Sequence, residues 1–280
     1  LYQLFITIGF LLAYLANYLI LKGTTREDYW RPMLGAEAIP DLLFLGLIFF
    51  IPESPRWLQV RGQRKDNSEA WAALREPCIL KAVLIGSAIA ILGQFMGVNA
   101  VLYYGPKIFA DAGFQDPLFS TVLVGVVNMV TTVIALLIID KVGRKQLVWW
   151  GVGGMIFCLL MIGLYFLPFT NLPTWFMLTF FLLYVFCTAI SISAVVFVLL
   201  SEMYPNRVRG LAMSIAGFAL WVGTYLIGQL TPWMLENLTP AGTFFLFAFM
   251  CLPYLWIMYR HVPDTTGKSL EEIEAYWKEK

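Results

Sequence analysis

Apolar positions in this chain come in long unbroken runs, and the polar positions gather between the runs. Eight runs are long enough to form helices that cross a bilayer, at about 1–21, 33–51, 79–109, 118–139, 147–168, 175–204, 209–235 and 241–260. About 20 apolar residues suffice for one crossing. The alternating ten-residue segments of a membrane barrel are not seen, so the pattern predicts helices. The third, sixth and seventh runs exceed one straight crossing and are expected to tilt, break or extend past the membrane. A last segment, Ser269 to Trp277, is amphipathic. With Ser269 as its cap and Glu271 and Glu272 in its first turn, it is expected to lie on the membrane surface as a short helix.

Composition supports the pattern: 60% of residues are hydrophobic, 13% are charged, and mean hydropathy is +0.74. Soluble domains usually carry about 25% charged residues, so an all-α membrane protein is the fold class that follows. Net charge is +1 and gives no reason to expect nucleic acid. The distribution of charge is more telling. Fifteen of the 19 lysines and arginines fall in or beside the 52–78, 140–146 and 205–208 connections and the C-terminus. By the positive-inside rule those connections are cytoplasmic. Cys78, Cys158, Cys187 and Cys251 lie in or beside apolar runs without metal-ligand spacing, and His261 stands alone at a helix end. They predict neither a cofactor, a metal, nor an enzyme's active centre.

Two apolar runs end alike, in IPESPRWL after Ile51 and in VPDTTGKSLEEIE after His261, with six runs between the two signatures. DKVGRK (140–145), LLSEMYPNRVRG (199–210) and GQFMGVNAVLYYGPKIF (93–109) complete a set. Together these motifs resemble the sugar porters of the major facilitator superfamily, among them the bacterial D-xylose/proton symporters and the facilitative glucose transporters. The resemblance covers essentially the whole chain. It implies a two-bundle, twelve-helix fold with the substrate held at the midplane between bundles. On that reading Leu1 falls in the family's fifth helix, and helices 1–4 are missing from the sequence. Residues 1–51 are then the last two helices of an N-terminal bundle, and 52–78 a shortened or incomplete cytoplasmic linker. Residues 79–260 form the C-terminal bundle, and 261–280 a cytoplasmic tail with its short helix. This stretch expressed alone is expected not to transport.

The residues themselves point to polar chemistry inside the membrane. Gln94, Asn99 and Asn128 are amides within apolar runs, where a polar group needs a partner or a water-filled cavity. Amides both donate and accept, as sugar hydroxyls do. Helix–helix hydrogen bonding is the plainer reading of the same residues. Gly97 and Gly105 bracket VNAVLYY, so this helix can break there, with Tyr103 and Tyr104 as an outer lid. The resemblance implies that Gln94, Asn99 and Asn128 bind sugar, that Tyr103 closes over it, and that Trp221 stacks on it. It also implies a cytoplasmic gate of ion pairs from Glu53, Arg56, Asp140, Arg144, Glu202 and Arg209. Glu37 matches a glutamate of proton-coupled sugar symporters; with Asp41 one turn away, it is the candidate proton site.

Several positions depart from the family's pattern. Ser193-Ala-Val-Val-Phe197 replaces its G-P-x-x-W segment, and Gly93, Leu220 and Phe10 stand where glutamines are usual. The expectation is a secondary transporter of a monosaccharide or polyol, working by alternating access, proton-coupled and multi-pass in a bacterial inner membrane. Its partners are the solute, protons and the lipid bilayer, and it is expected to act as a monomer once the missing helices are present. Facilitated uniport, another polar organic solute, and a non-transporting sugar sensor remain alternatives.

Overall fold

A computed structural model describes residues 2–23, 29–53, 67–205, 207–263, 272–273 and 276–277; the side chains of Tyr2, of residues 67–70 and of Asp140 lie outside that description. The described elements are all helical. They are α1 (Tyr2–Gly23), α2 (Trp30–Ala36), α3 (Ala38–Ile48), α4 (Asn67–Leu74), α5 (Pro77–Phe95) and α6 (Val98–Asp111). Then come α7 (Pro117–Val142), α8 (Arg144–Tyr165), α9 (Thr174–Thr188), a π turn (Ala189–Ser193), α10 (Ala194–Met203), α11 (Arg209–Asn237) and α12 (Thr239–Arg260). Seven stretches are long and apolar enough to cross a bilayer, and the chain is a multi-pass integral membrane protein.

The second expected span is not one helix. Pro40 has no N–H and its ring crowds the carbonyl of Ala36, four residues back. The helix accordingly breaks at Glu37 into α2 and α3. Among the described residues neither piece buries a side chain, and Leu42, Phe44 and Phe49 stand exposed. A short helix the sequence did not predict, α4, lies in the 52–78 connection and buries Ala73 and Leu74. Pro77 then starts α5 at its first position, where a missing N–H costs nothing.

From α5 onward the helices form one bundle. α11 packs against α5, α12 against α8 and α5, and α9 against α8. Lipid is as apolar as leucine, so packing and close backbone approach hold such helices rather than the hydrophobic effect. Phe109, Phe181, Tyr184, Phe244 and Tyr254 are fully buried at the centre. α1 lies against α7, where Gly125 faces Leu11 and Tyr14; a Cβ there would sit 2.8 Å from the Tyr14 ring.

In the tail, Ile273 and Trp277 are each 3% exposed and belong to the core cluster. The cap at Ser269 and Glu271 lie outside the described residues.

Candidate substrate cavity

The cavity is built around two interruptions of one membrane span. Gly97 adopts φ +87°, a left-handed conformation open to glycine, and separates α5 from α6. A Cβ there would also lie 2.5 Å from the Phe247 ring, so the position excludes side chains twice. A break frees backbone carbonyls, and an unpaired carbonyl in the membrane is costly. The Tyr184 hydroxyl, buried on α9, donates to the Met96 carbonyl at 2.8 Å. The second interruption is Pro106 inside α6, which leaves the Leu102 carbonyl without its N–H partner. The Tyr14 hydroxyl of α1 donates to that carbonyl at 2.9 Å. Each freed carbonyl thus ties α5 or α6 to a neighbouring helix.

The break at Gly97 presents Gln94 and Asn99 on the same side. Asn99 Nδ2 donates to Gln94 Oε1 at 2.6 Å and approaches Thr224 Oγ1 of α11 at 3.5 Å. This leaves the Gln94 amide hydrogens to donate and the Asn99 oxygen to accept. α11 comes close enough because position 223 is glycine; a Cβ there would lie 3.2 Å from Gln94 and 3.3 Å from the Ile91 backbone. Asn128 enters from α7. It is 7% exposed, and its amide makes no hydrogen bond with a described residue. Its amide lines the cavity.

These residues converge on a cavity of about 190 Å³. Gln94, Asn99, Tyr103, Asn128 and Trp221, the five residues expected to bind substrate, all line it. Trp221 is 65% exposed, so its indole lies along the open side. Phe10, Phe197 and Leu220 line it too, so the apolar replacements do face the site. Gly93 is absent from the lining. Among the described residues no charged side chain lines the cavity. The described lining offers amides, hydroxyls and apolar side chains.

The structure corrects one detail of the sequence reading. Tyr104 is not beside Tyr103 at the cavity: its hydroxyl donates to the Gly228 carbonyl at 2.8 Å, which fastens α6 to α11. Gln3, two turns from Phe10 on the same face of α1, also lines the cavity. With it, Thr7, Thr188, Ser193 and Thr224 line the cavity beyond the residues expected to bind substrate. Gln3 and Thr7 are four residues apart, a polar stripe visible in the sequence. The others are serines and threonines, which in apolar helices usually bond their own backbone. Thr188 and Thr224 do so, to the Tyr184 and Leu220 carbonyls at 2.8 and 3.0 Å.

The missing Gly-Pro segment has a structural replacement. α9 and α10 are joined by the π turn Ala189–Ser193, and the Ser191 hydroxyl donates to the Cys187 carbonyl at 2.6 Å. A π turn inserts one residue into a helix and loosens its ladder.

The expected gate residues are only partly brought together. Arg144 Nη2 and Glu202 Oε1 are 3.2 Å apart, with side chains 16% and 24% exposed. Arg209 instead donates to the Tyr204 carbonyl, at 3.3 Å from Nε and 3.2 Å from Nη2, and closes the end of α10. Glu53 is exposed beyond α3 and pairs with no described residue, while Arg56 and the Asp140 side chain lie outside the described residues. A pair the sequence did not suggest, Arg207 with Glu76, joins the 205–208 turn to the start of α5. Glu37 is exposed at the α2–α3 junction and does not line the cavity. On the opposite side, Lys22 pairs with Asp116 at 3.8 Å, and the Tyr18 ring packs on Phe119 at 5.9 Å, linking α1 to the start of α7.

The sequence profile of the family described as Sugar (and other) transporter matches residues 1–78 and 62–277. The D-xylose-proton symporter of Escherichia coli (strain K12) is 34% identical over 314 residues, covering 99% of this chain and 64% of the relative. The arabinose-proton symporter of Bacillus subtilis (strain 168) is also 34% identical, over 312 residues, covering 99% of this chain and 67% of its own. The inward-open structure of the xylose transporter XylE from E. coli superimposes with a TM-score of 0.82 at 35% identity, covering 98% of this chain and 64% of that one. The chain therefore spans about two thirds of the length of the relatives it matches. With the motifs, the bundle and the cavity in agreement with these likenesses, the chain belongs to the sugar (and other) transporter family and has the fold of the major facilitator superfamily.

Proposed function

We propose that the protein is a secondary transporter that moves a monosaccharide or polyol across a bacterial inner membrane by alternating access. The observation that carries this reading is the convergence of Gln94, Asn99, Asn128, Tyr103 and Trp221 on one cavity. The amides bind hydroxyls, Trp221 lies along the ring's apolar face, and Tyr103 closes the outer side. The cavity joins two bodies. Residues 1–51 belong to one helical bundle, residues 79–260 form the other, 52–78 link them on the cytoplasmic side, and 261–280 are a tail. α1 meets α6 and α7 along the line where the two bundles move against each other. The Arg144–Glu202 pair holds the cytoplasmic ends of the helices together while the outer side is open; the resemblance adds Asp140, Glu53, Arg56 and Arg209 to the same network. No chemical step is required; the work is binding and exchange between two conformations.

In this reading Glu37 carries the coupled proton. The names of the relatives support coupling, since two are proton symporters of pentoses. Facilitated uniport is the second reading. Labelled-sugar uptake by proteoliposomes of the full-length protein, with and without an inward proton gradient, separates the two. Accumulation above equilibrium establishes symport, and Glu37→Gln should then abolish accumulation while leaving sugar counterflow. Equilibration alone establishes uniport. Absence of uptake across pentoses, hexoses and inositol would move the substrate to another class of polar solute and reject the sugar reading.

A further inference from the structure

We propose that a groove between the start of α8 and the end of α12 binds an anionic glycerophospholipid of the cytoplasmic leaflet. The groove has a volume of about 440 Å³ and shares no residue with the transport cavity. Its floor is apolar: Val148 is 1% and Met258 2% exposed, with Leu255 beside them. Trp149 and Tyr259 form its rim, 52% and 71% exposed, with ring centroids 6.1 Å apart. Lys145 and Gln146 form its polar end.

Lys145 is held in place. Its ammonium donates to the Tyr259 carbonyl at 3.2 Å and the Val262 carbonyl at 3.0 Å, and lies 5.7 Å from the centre of the Tyr259 ring. An ammonium has three hydrogens, so one donor and the full charge remain for a ligand. No acidic side chain lines the groove among the described residues, the first turn of α8 holds no acid, and the last turn of α12 carries Arg260. The plain role of Lys145, closing the carbonyls at the end of α12, explains its two hydrogen bonds but not an aromatic-rimmed groove leading away from it.

The position selects the occupant. The exposed tryptophan and tyrosine mark the membrane–water interface, where such rings settle. The side is the cytoplasmic one by the lysine and arginine distribution, where anionic headgroups are attracted by about 1 kcal/mol per basic residue. A phosphodiester at Lys145 would lay one acyl chain along Val148, Leu255 and Met258. Free phosphate gains nothing from that floor, so the ligand is the whole lipid.

The test uses the full-length protein in phosphatidylcholine vesicles doped with photoactivatable phosphatidylglycerol, with the labelled peptides identified by mass spectrometry. The expected result is labelling concentrated on peptides containing residues 145–150 and 255–259, reduced about fivefold by Lys145→Gln and retained in Lys145→Arg, a change of one basic contact. Unlabelled phosphatidylglycerol should displace the probe, and inorganic phosphate should not. Equal labelling by a phosphatidylcholine probe would mean unselective boundary lipid and overturn the proposal. Displacement by inorganic phosphate would overturn it in favour of a headgroup-sized anion site. Should Lys145→Gln fail to fold, the comparison of charged and zwitterionic probes on the unaltered protein decides alone.

Discussion

Asn99 and Asn128 show how two like residues in one cavity can carry different burdens. Asn99 is bonded within the protein, to Gln94 and at longer range to Thr224. Asn128 has no described partner and opens to the cavity. Asn128→Ala should therefore leave thermal stability nearly unchanged and weaken sugar affinity by up to about tenfold, the worth of one neutral hydrogen bond. Asn99→Ala strands Gln94 and should lower both affinity and melting temperature. Binding calorimetry and a thermal-shift assay on the two variants would separate the roles; equal stability losses would contradict the assignment. Neighbouring Phe197 and Leu220 face the same space, so the cavity is less polar than its motif alone would suggest.

At the level of elements, the two interruptions of the α5–α6 span are each matched by a hydroxyl on another helix. Tyr14 answers the carbonyl that Pro106 frees, so their effects should not add. Tyr14→Phe is expected to cost about 1 kcal/mol of unfolding free energy in the parent and much less when Pro106→Ala already supplies the N–H. A double-mutant cycle by thermal or denaturant unfolding checks this, and additive effects would refute the coupling. Close approach is the other device. Gly223 lets α11 lie against Gln94 and the Ile91 backbone, and Gly223→Val should cost about 1–3 kcal/mol through overpacking. It should also move Gln94, which would be read as a loss of sugar affinity larger than the loss of fold.

On the scale of the whole molecule, transport needs two conformations of nearly equal free energy, and small terms decide between them. Arg144 and Glu202 form a partly buried pair on the cytoplasmic side. Glu202→Gln should remove about 1–2 kcal/mol from the state they tie together, a shift of about five- to thirtyfold in the equilibrium. Reagent access to a cysteine introduced on the cytoplasmic face of the cavity should rise accordingly; unchanged access would mean that the pair sets topology alone. Lys22 with Asp116 and Tyr14 with the Leu102 carbonyl join α1 to α7 and α6 on the other side. The two sets of ties lie on opposite sides of the cavity and can be broken one at a time.

Much of this was legible along the chain because the membrane imposes a one-dimensional code. Apolar runs mark crossings, lysines and arginines mark the cytoplasmic side, and an amide in an apolar run must meet another polar group. Seven of the eight runs became membrane-length helices or helix pairs, and the amides Gln94, Asn99 and Asn128 met at one cavity. Sequence order could not say which partner each group would find. That Tyr184 reaches the Met96 carbonyl, that Tyr104 leaves the lid for Gly228, and that Arg209 serves a carbonyl are facts about residues 88, 124 and 5 positions apart. Threonines that bond their own helix look alike whether they face lipid or a cavity, so Thr188 and Thr224 could be placed only by packing. The sequence alone determined which segments enter the membrane, in which direction, and which carry polar groups. The tertiary structure decided which polar groups share a space, because partners on different helices are chosen by how closely the backbones pack.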